Sequence, residues 1–301
     1  MSLPKPLSPS VKLFFCPLLP SLMNRDTAAT LRGWLPQNEI DKVERYIQQA
    51  GKDQGLMVRG YLRALLSKHG SLEPEQWQFE YGEKGKPRLT QAQFERTGID
   101  FNLSHSGDWL LLAIVQQPLQ NVTPASILLG VDIERCRSST NIYSILNHYF
   151  SKPEIAALLA LPSELQRERF FDLWALKESY IKAKGLGLAL PLKSFGFDLS
   201  ALQCSTLPLQ CSAALAAVSP PLTVSTLMTF KQEVRLQIHT QDKTDAADTI
   251  FSDESRWHCA LGHLNDDYRF AVSLVGASRY ESLPNYCAQV ICLSDIVLPT
   301  R

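Results

Sequence analysis

The order of apolar and polar residues along the chain divides it into helix-like and strand-like units. "VKLFFCPL" near the start is a strand-like run, too short and too broken by proline to be a secretory leader or a membrane span. "NEIDKVERYIQQAG" has helical spacing that turns Ile40, Val43 and Tyr46 inward, with Asn38 as a possible N-cap. In "GLMVRGYLRALLSKHG", Leu56, Leu62, Leu65 and Leu66 make a stronger helical stripe, and Gly70 stands where a terminating glycine belongs. "YGEKGKPRL" is turn chemistry, and "IDFNLSHSGDWLLLAIV" closes in a strand-like apolar run. The polar, proline-containing "QQPLQNVTPAS" then links this half to the strand "ILLGVDIE".

Beyond that strand, "NIYSILNHYF" predicts a helix, "KPEIAALLALP" a proline-started helix, and residues from about Glu168 to Lys184 a long one. Residues 199–250 are rich in Ser, Thr, Leu and Ala, with β-prone pieces such as "LTVSTLMTF" and "VRLQIH". They read as strands and loops inserted into the second half. The expected division is an N-terminal lobe over 1–120, a C-terminal lobe over 121–280 carrying that insertion, and a tail over 281–301.

The two halves echo each other. Laying "LSHSGDWLLLAIV" on "LGHLNDDYRFAVS" matches His105 to His263, Asp108 to Asp266 and Ala113 to Ala271. Laying "LRALLSKHG" on "LKESYIKAKG" brings two helix ends together at Gly70 and Gly185. Both matches fit one duplicated αβ unit whose second copy carries extra sequence. The expected fold class is α+β, sandwich-like, with two similar lobes about a pseudo-twofold axis.

Composition narrows the functions. The 301 residues, 45% of them hydrophobic, can bury a sizeable core, while thirty basic and thirty acidic residues leave no net charge. A general nucleic-acid or membrane-surface binder is therefore not expected, and any anion site must be local. The seven cysteines are odd in number, lie far apart and form no C-x-x-C pair, which points to a reducing cytoplasm rather than to a disulfide framework or zinc ribbon.

The chemistry concentrates in four places. On a strand, alternate side chains share a face, so Asp132 and Glu134 of "GVDIE" point one way and Val131 and Ile133 the other. Neighbouring carboxylates repel unless a cation lies between them, and magnesium suits one or two carboxylates plus substrate phosphates; D-x-E alone also fits a solvated strand edge. In "FFDLWALKESYIKAKG", Glu178 lies close to the apolar stripe, beside Lys177 and four residues before Lys182. That pattern fits an intrahelical ion pair as well as a buried site. "LSHSG" offers hydroxyl, imidazole and backbone donors to a phosphate oxygen, and Gly85, Lys86 and Pro87 make a stiff turn; either could be a plain turn. His258, Cys259 and His263 fit no zinc spacing.

Taken as a set and in this order, "GKP", "NLSHSG", "GVDIE" and "WALKESYIKAKGLGL" resemble the Sfp-type 4′-phosphopantetheinyl transferases, over roughly Val11 to Val275 apart from the 199–250 stretch. The resemblance implies transfer of phosphopantetheine from coenzyme A to a serine of an acyl, peptidyl or aryl carrier protein, with release of 3′,5′-ADP. It implies Mg²⁺ on Asp132, Glu134 and Glu178, Lys182 on the pyrophosphate, Ser104 and His105 on coenzyme A phosphates, and Gly85, Lys86 and Pro87 beside the adenine. Glu178 would also be the base for the carrier serine, directly or through a water. Lys52, Arg59 and Arg63 are available for the 3′-phosphate, with Arg59 preferred, although Leu56 and Met57 stand where such enzymes often place basic or hydroxyl residues. Arg135, Arg137, Lys152, Arg167 and Arg169 are candidates to receive an acidic carrier, and the protein is expected to be a monomer. A non-catalytic coenzyme A or nucleotide-binding protein of the same fold is the alternative. A different magnesium phosphotransferase would need a phosphate loop of the G-x-x-x-x-G-K-[ST] type, which the sequence lacks.

Overall fold

The computed structural model describes residues 8–117, 127–200, 204–239, 254–276 and 283–297. Most of the expected linker and the later part of the insertion, residues 240–250, lie outside them. Among the described residues no helix is long and apolar enough to cross a membrane.

The first half runs β1 (Ser10–Pro17), α1 (Arg25–Gly33), α2 (Gln37–Glu44), α3 (Gln49–His69), β2 (Phe79–Tyr81), β3 (Pro87–Leu89), α4 (Gln91–Thr97), β4 (Ile99–Ser106) and β5 (Trp109–Gln116). The second runs β6 (Ile127–Arg135), α5 (Ile142–Tyr149), α6 (Lys152–Leu159), α7 (Ser163–Lys184), β7 (Phe195–Asp198), β8 (Ser205–Cys211), β9 (Leu227–Ile238), β10 (His258–Asn265), β11 (Tyr268–Gly276) and β12 (Asn285–Val290). Element types follow the hydrophobic pattern, and some boundaries differ. Helix α2 is capped by Pro36, not Asn38, and Tyr46 falls past its end, 48% exposed. Helix α7 begins already at Ser163.

One ten-stranded sheet runs in the order β4, β5, β1, β12, β8, β9, β10, β11, β6, with β7 paired to β9. Strand β5 is buried at every position but its last, as expected of a strand covered on both faces. Its alternate residues supply two different cores. Trp109, Leu111 and Ala113 face a core shared with Leu129, Val131 and Phe270 of the other half. Leu110, Leu112 and Ile114 face helix α3 through Leu62, Leu65 and Leu66. Helix α7 covers the second half in the same way, packing Leu176 and Tyr180 against Leu261 and Ala271. The rings of Phe15 and Phe270 meet edge-on across the shared core at 5.0 Å.

The duplication is visible in this arrangement: each lobe lays one long helix on a hairpin, α3 on β4–β5 and α7 on β10–β11. The hairpin match slips by one residue at its turn. Ser106 faces Trp109 across the first turn, whereas Asn265 faces Tyr268 across the second. A register shift between His263 and Asn265 supplies the extra residue.

The expectation of a tail over 281–301 is corrected for its described part. Strand β12 lies parallel to both β1 and β8 and joins the two lobes within the sheet. Its alternating buried residues, Tyr286, Ala288 and Val290, enter the shared core, and such a short run is legible once the flanking strands are known. The insertion likewise supplies β8 and β9, which are integral to the sheet.

Lys177, the neighbour of Glu178 in sequence, pairs elsewhere. It is fully buried, with Nζ 2.9 Å from Glu154 Oε2 and donating to the carbonyls of Leu192 (2.9 Å) and Phe195 (2.7 Å). Burial lowers its pKa, and Glu154 partly offsets this. Removing one partner of such a pair strands the other charge, so Lys177→Met is expected to destabilise the fold by about 3 kcal/mol, read as a shift of the urea midpoint at unchanged slope.

Candidate functional site

The two ends of the strand order, β4 and β6, lie beside each other, and α7 crosses next to them. Close approach is possible because residue 130 is glycine. A Cβ there would press on the Ser179 carbonyl and the Ala183 backbone nitrogen, with the Ala183 Cα at 2.8 Å. The helix backbone thus rests directly on β6, which brings Glu178 and Lys182 beside the strand carrying Asp132 and Glu134.

Asp132 is 2% exposed. Its Oδ1 lies 2.6 Å from Lys182 Nζ and accepts from Ser104 Oγ at 2.8 Å. Ser104 Oγ also accepts from Lys182 Nζ at 2.7 Å. The other oxygen, Oδ2, is buried with no hydrogen-bond partner. Burial raises the Asp132 pKa against the lowering influence of Lys182 and Ser104. Glu134 is pushed up to about 7 by burial and by the charge of Asp132, while Ser106 donates to its Oε2 at 3.2 Å. Burial and Asp132 also raise Glu178, and Lys182 opposes them.

Three carboxylates therefore share one poorly solvated neighbourhood, in which Asp132 raises the proton affinity of Glu134 and Glu178, and Glu178 that of Glu134. Among the described residues no three acidic, histidine or cysteine side chains are close enough to hold a metal ion as they stand. Lys182 takes Asp132 instead. A divalent cation nonetheless fits the donor set: an orphaned carboxylate oxygen, a second carboxylate whose charge is disfavoured by the first, and a third on a long side chain one helix away. All are hard oxygen donors of the kind magnesium takes.

A cavity of about 290 Å³ opens beside these groups, walled by Gly85, Lys86, Pro87, Asn102, Glu178 and Lys182 among others. Gly85 has φ +79°, a left-handed turn that suits glycine. The Lys86 side chain leaves the turn and donates to the carbonyls of Leu129 (2.9 Å) and Ala183 (3.2 Å). It pins the turn to β6 and to the end of α7, and residues 85–87 all line the cavity.

His105 points to the opposite face of β4 from Ser104. Desolvation, then the Lys182 charge, hold its pKa below the ordinary histidine value, so its ring is neutral near pH 7. Arg59 donates to the Gly55 carbonyl at 2.9 Å and stands 3.9 Å from Glu39. Arg63 is buried on Glu39 at 2.8 Å, and Lys52 meets Glu44 at 2.6 Å. All three candidate phosphate cations are thus already near carboxylates. Arg167 donates to the carbonyls of Arg137 and Thr140, and Arg135 stands 3.6 Å from Asp108. His263 bonds Asp172 at 3.1 Å, away from the carboxylate group.

Sequence reasoning missed Asn102 and Ser106, which touch β6, and Gly130. The signal for the first two was their place in the alternation of "NLSHS": on a strand they share the face of Ser104. Gly130 gave no signal until the helix it admits was in place.

Two family models match on either side of the β4–β6 seam. The model of the 4′-phosphopantetheinyl transferase superfamily matches residues 128–219, and the N-terminal model of 4′-phosphopantetheinyl transferase matches residues 24–117. The 4′-phosphopantetheinyl transferase HetI of Nostoc sp. is 34% identical over 193 residues, 62% of this chain and 76% of the relative. The 4′-phosphopantetheinyl transferase Sfp of Bacillus subtilis is 32% identical over 159 residues, 53% of this chain and 64% of the relative. A phosphopantetheinyl transferase of Thraustochytrium sp. is 26% identical over 184 residues, 58% of this chain and 60% of the relative.

Proposed function

The chain belongs to the 4′-phosphopantetheinyl transferase superfamily, and from that premise we propose that it transfers the 4′-phosphopantetheine group of coenzyme A to a serine of an apo carrier protein, releasing 3′,5′-ADP. The observation that carries this reading is the gathering of Asp132, Glu134 and Glu178 around Lys182, beside a cavity bounded by the Gly85–Pro87 turn.

In this reading Asp132, Glu134 and Glu178 hold Mg²⁺, which supplies charge neutralisation at the diphosphate. Lys182 exchanges Asp132 for the diphosphate when coenzyme A binds. Ser104 and His105 lie toward the coenzyme A phosphates, the first after giving up its present bonds to Asp132 and Lys182, the second as a neutral donor. The backbone of Gly85, Lys86 and Pro87 borders the adenine. Arg59 takes the 3′-phosphate in competition with Glu39. The carrier serine is a poor nucleophile near neutral pH and needs a base within hydrogen-bond reach. Glu178, whose proton affinity is raised by burial and which lines the cavity, takes that role in this reading, directly or through a water. A carrier's acidic helix meets Arg135, Arg137, Lys152, Arg167 and Arg169. One chain brings both edges of the seam, so the working unit is a monomer, and seven free cysteines suit a cytoplasmic setting.

The test is direct. The protein incubated with coenzyme A, Mg²⁺ and a panel of apo carrier proteins is expected to add one phosphopantetheine to a carrier, read by intact-mass spectrometry. EDTA should stop the reaction and excess Mg²⁺ restore it. Coenzyme A binding with no product on any carrier would instead favour the binding-only alternative.

A further inference from the structure

The strand order ends at β4 on one side and β6 on the other, yet these edges are not left open. They run side by side in the same direction, bridged by side chains at successive positions. Asn102 Oδ1 accepts from the Val131 amide at 2.8 Å, Ser104 donates to Asp132 at 2.8 Å, and Ser106 donates to Glu134 at 3.2 Å while accepting from the Arg135 amide at 3.2 Å. An edge strand presents alternate amides outward, and each needs a partner. On β6, the Val131 amide finds Asn102 and the Arg135 amide finds Ser106. Two of the amides that a ladder would have used are thus satisfied by side chains of β4.

We propose that Asn102 and Ser106 are positioning residues: they hold the two lobes' edge strands at a separation wider than a backbone ladder and aim Asp132 and Glu134 at the metal position. This rests on the metal reading under Proposed function. Two features distinguish such a role from plain satisfaction of buried groups. Asn102 is 3% exposed and still forms part of the cavity wall, so its carboxamide joins the strand before Asp132 to the reaction space. Ser106 divides one hydroxyl between a carboxylate and the amide of the next residue along β6, which fixes both the Glu134 side chain and the backbone that carries it. A ladder at this seam would draw β6 toward β4 and close the slot. Apolar side chains would leave the β6 amides unpaired.

The experiment titrates Mn²⁺ into the full chain at saturating coenzyme A and reads free Mn²⁺ by electron paramagnetic resonance. Parallel measurements give melting temperature, kcat and the coenzyme A KM. Removing a group that orients a metal ligand typically weakens the metal by roughly 10- to 100-fold, and Asn102→Ala and Ser106→Ala are each expected to fall in that range. Their kcat should drop with KM for coenzyme A held within about twofold. Ser106→Thr keeps the hydroxyl and should restore Mn²⁺ affinity. Folded alanine variants that bind Mn²⁺ as the parent does would overturn the proposal, as would a folded Ser106→Thr that behaves like Ser106→Ala. If Asn102→Ala does not fold, the Ser106 pair decides. A parent that takes up no Mn²⁺ would bring down the metal reading, and this proposal with it; a parent that binds beside unaffected variants brings down this proposal alone.

Discussion

Asp132→Ala is expected to lower phosphopantetheine transfer by on the order of 10³-fold, equivalent to about 4 kcal/mol of transition-state stabilisation, with little change in melting temperature. The two effects separate because of where each interaction is made. In the folded protein Asp132 has one oxygen held by Lys182 and Ser104 and the other without a partner. Its net stabilising contribution is reduced by the burial that raises its pKa. Stranding Lys182 is also mild, since its side chain is 30% exposed and borders the cavity; the several kcal/mol seen when fully buried pairs are broken do not apply. In turnover the same carboxylate is asked to hold a divalent charge against the diphosphate, where few alternatives exist. Activity near the parent's in Mg²⁺ would show that Asp132 is no ligand, and loss of the folded state would show that its role is structural.

Much of this site was legible because strand periodicity is rigid. Asp132 and Glu134 had to share a face, and they do, with Val131 and Ile133 in the shared core. The approach of Glu178 to them depended on α7 lying on β6, which the sequence implied through the family resemblance. Helix-face arithmetic did less well. Lys177 and Glu178 are neighbours in sequence, but α7 is buried on more than one side, and its residues serve different masters: Lys177 turns to Glu154 and Lys182 to Asp132. Nothing local in "LKESYIK" distinguishes the two lysines. Ser104 was read as a phosphate donor from its motif, and its present bonds are to Asp132 and Lys182, because an isolated motif does not reveal which strand will lie across from it. Strand β12 failed for a related reason: Tyr286, Ala288 and Val290 alternate over too short a run to stand out, and both neighbouring strands are remote in sequence.

Gly130→Ala tests the packing that places the helix beside the strand, and it is expected to destabilise the protein by about 3 kcal/mol, at the upper end of what overpacking usually costs. The reason is the nature of the neighbours. The added methyl meets backbone atoms of Ser179 and Ala183, which cannot rotate away as a side-chain tip would, so α7 has to lift or β6 has to retreat. Either movement carries Glu178 and Lys182 away from Asp132, and activity should fall further than the loss of folded protein accounts for when assayed well below the melting temperature. Gly33→Ala is the control. It lies at the last position of α1 with nothing within 4 Å of a new Cβ, and replacing a helical glycine there should be neutral or stabilising by up to about 1 kcal/mol. Equal behaviour of the two variants in urea unfolding would mean that α7 is not seated on β6 through residue 130. A destabilised Gly130→Ala with parental turnover per folded molecule would mean that the seating serves the core and not the site.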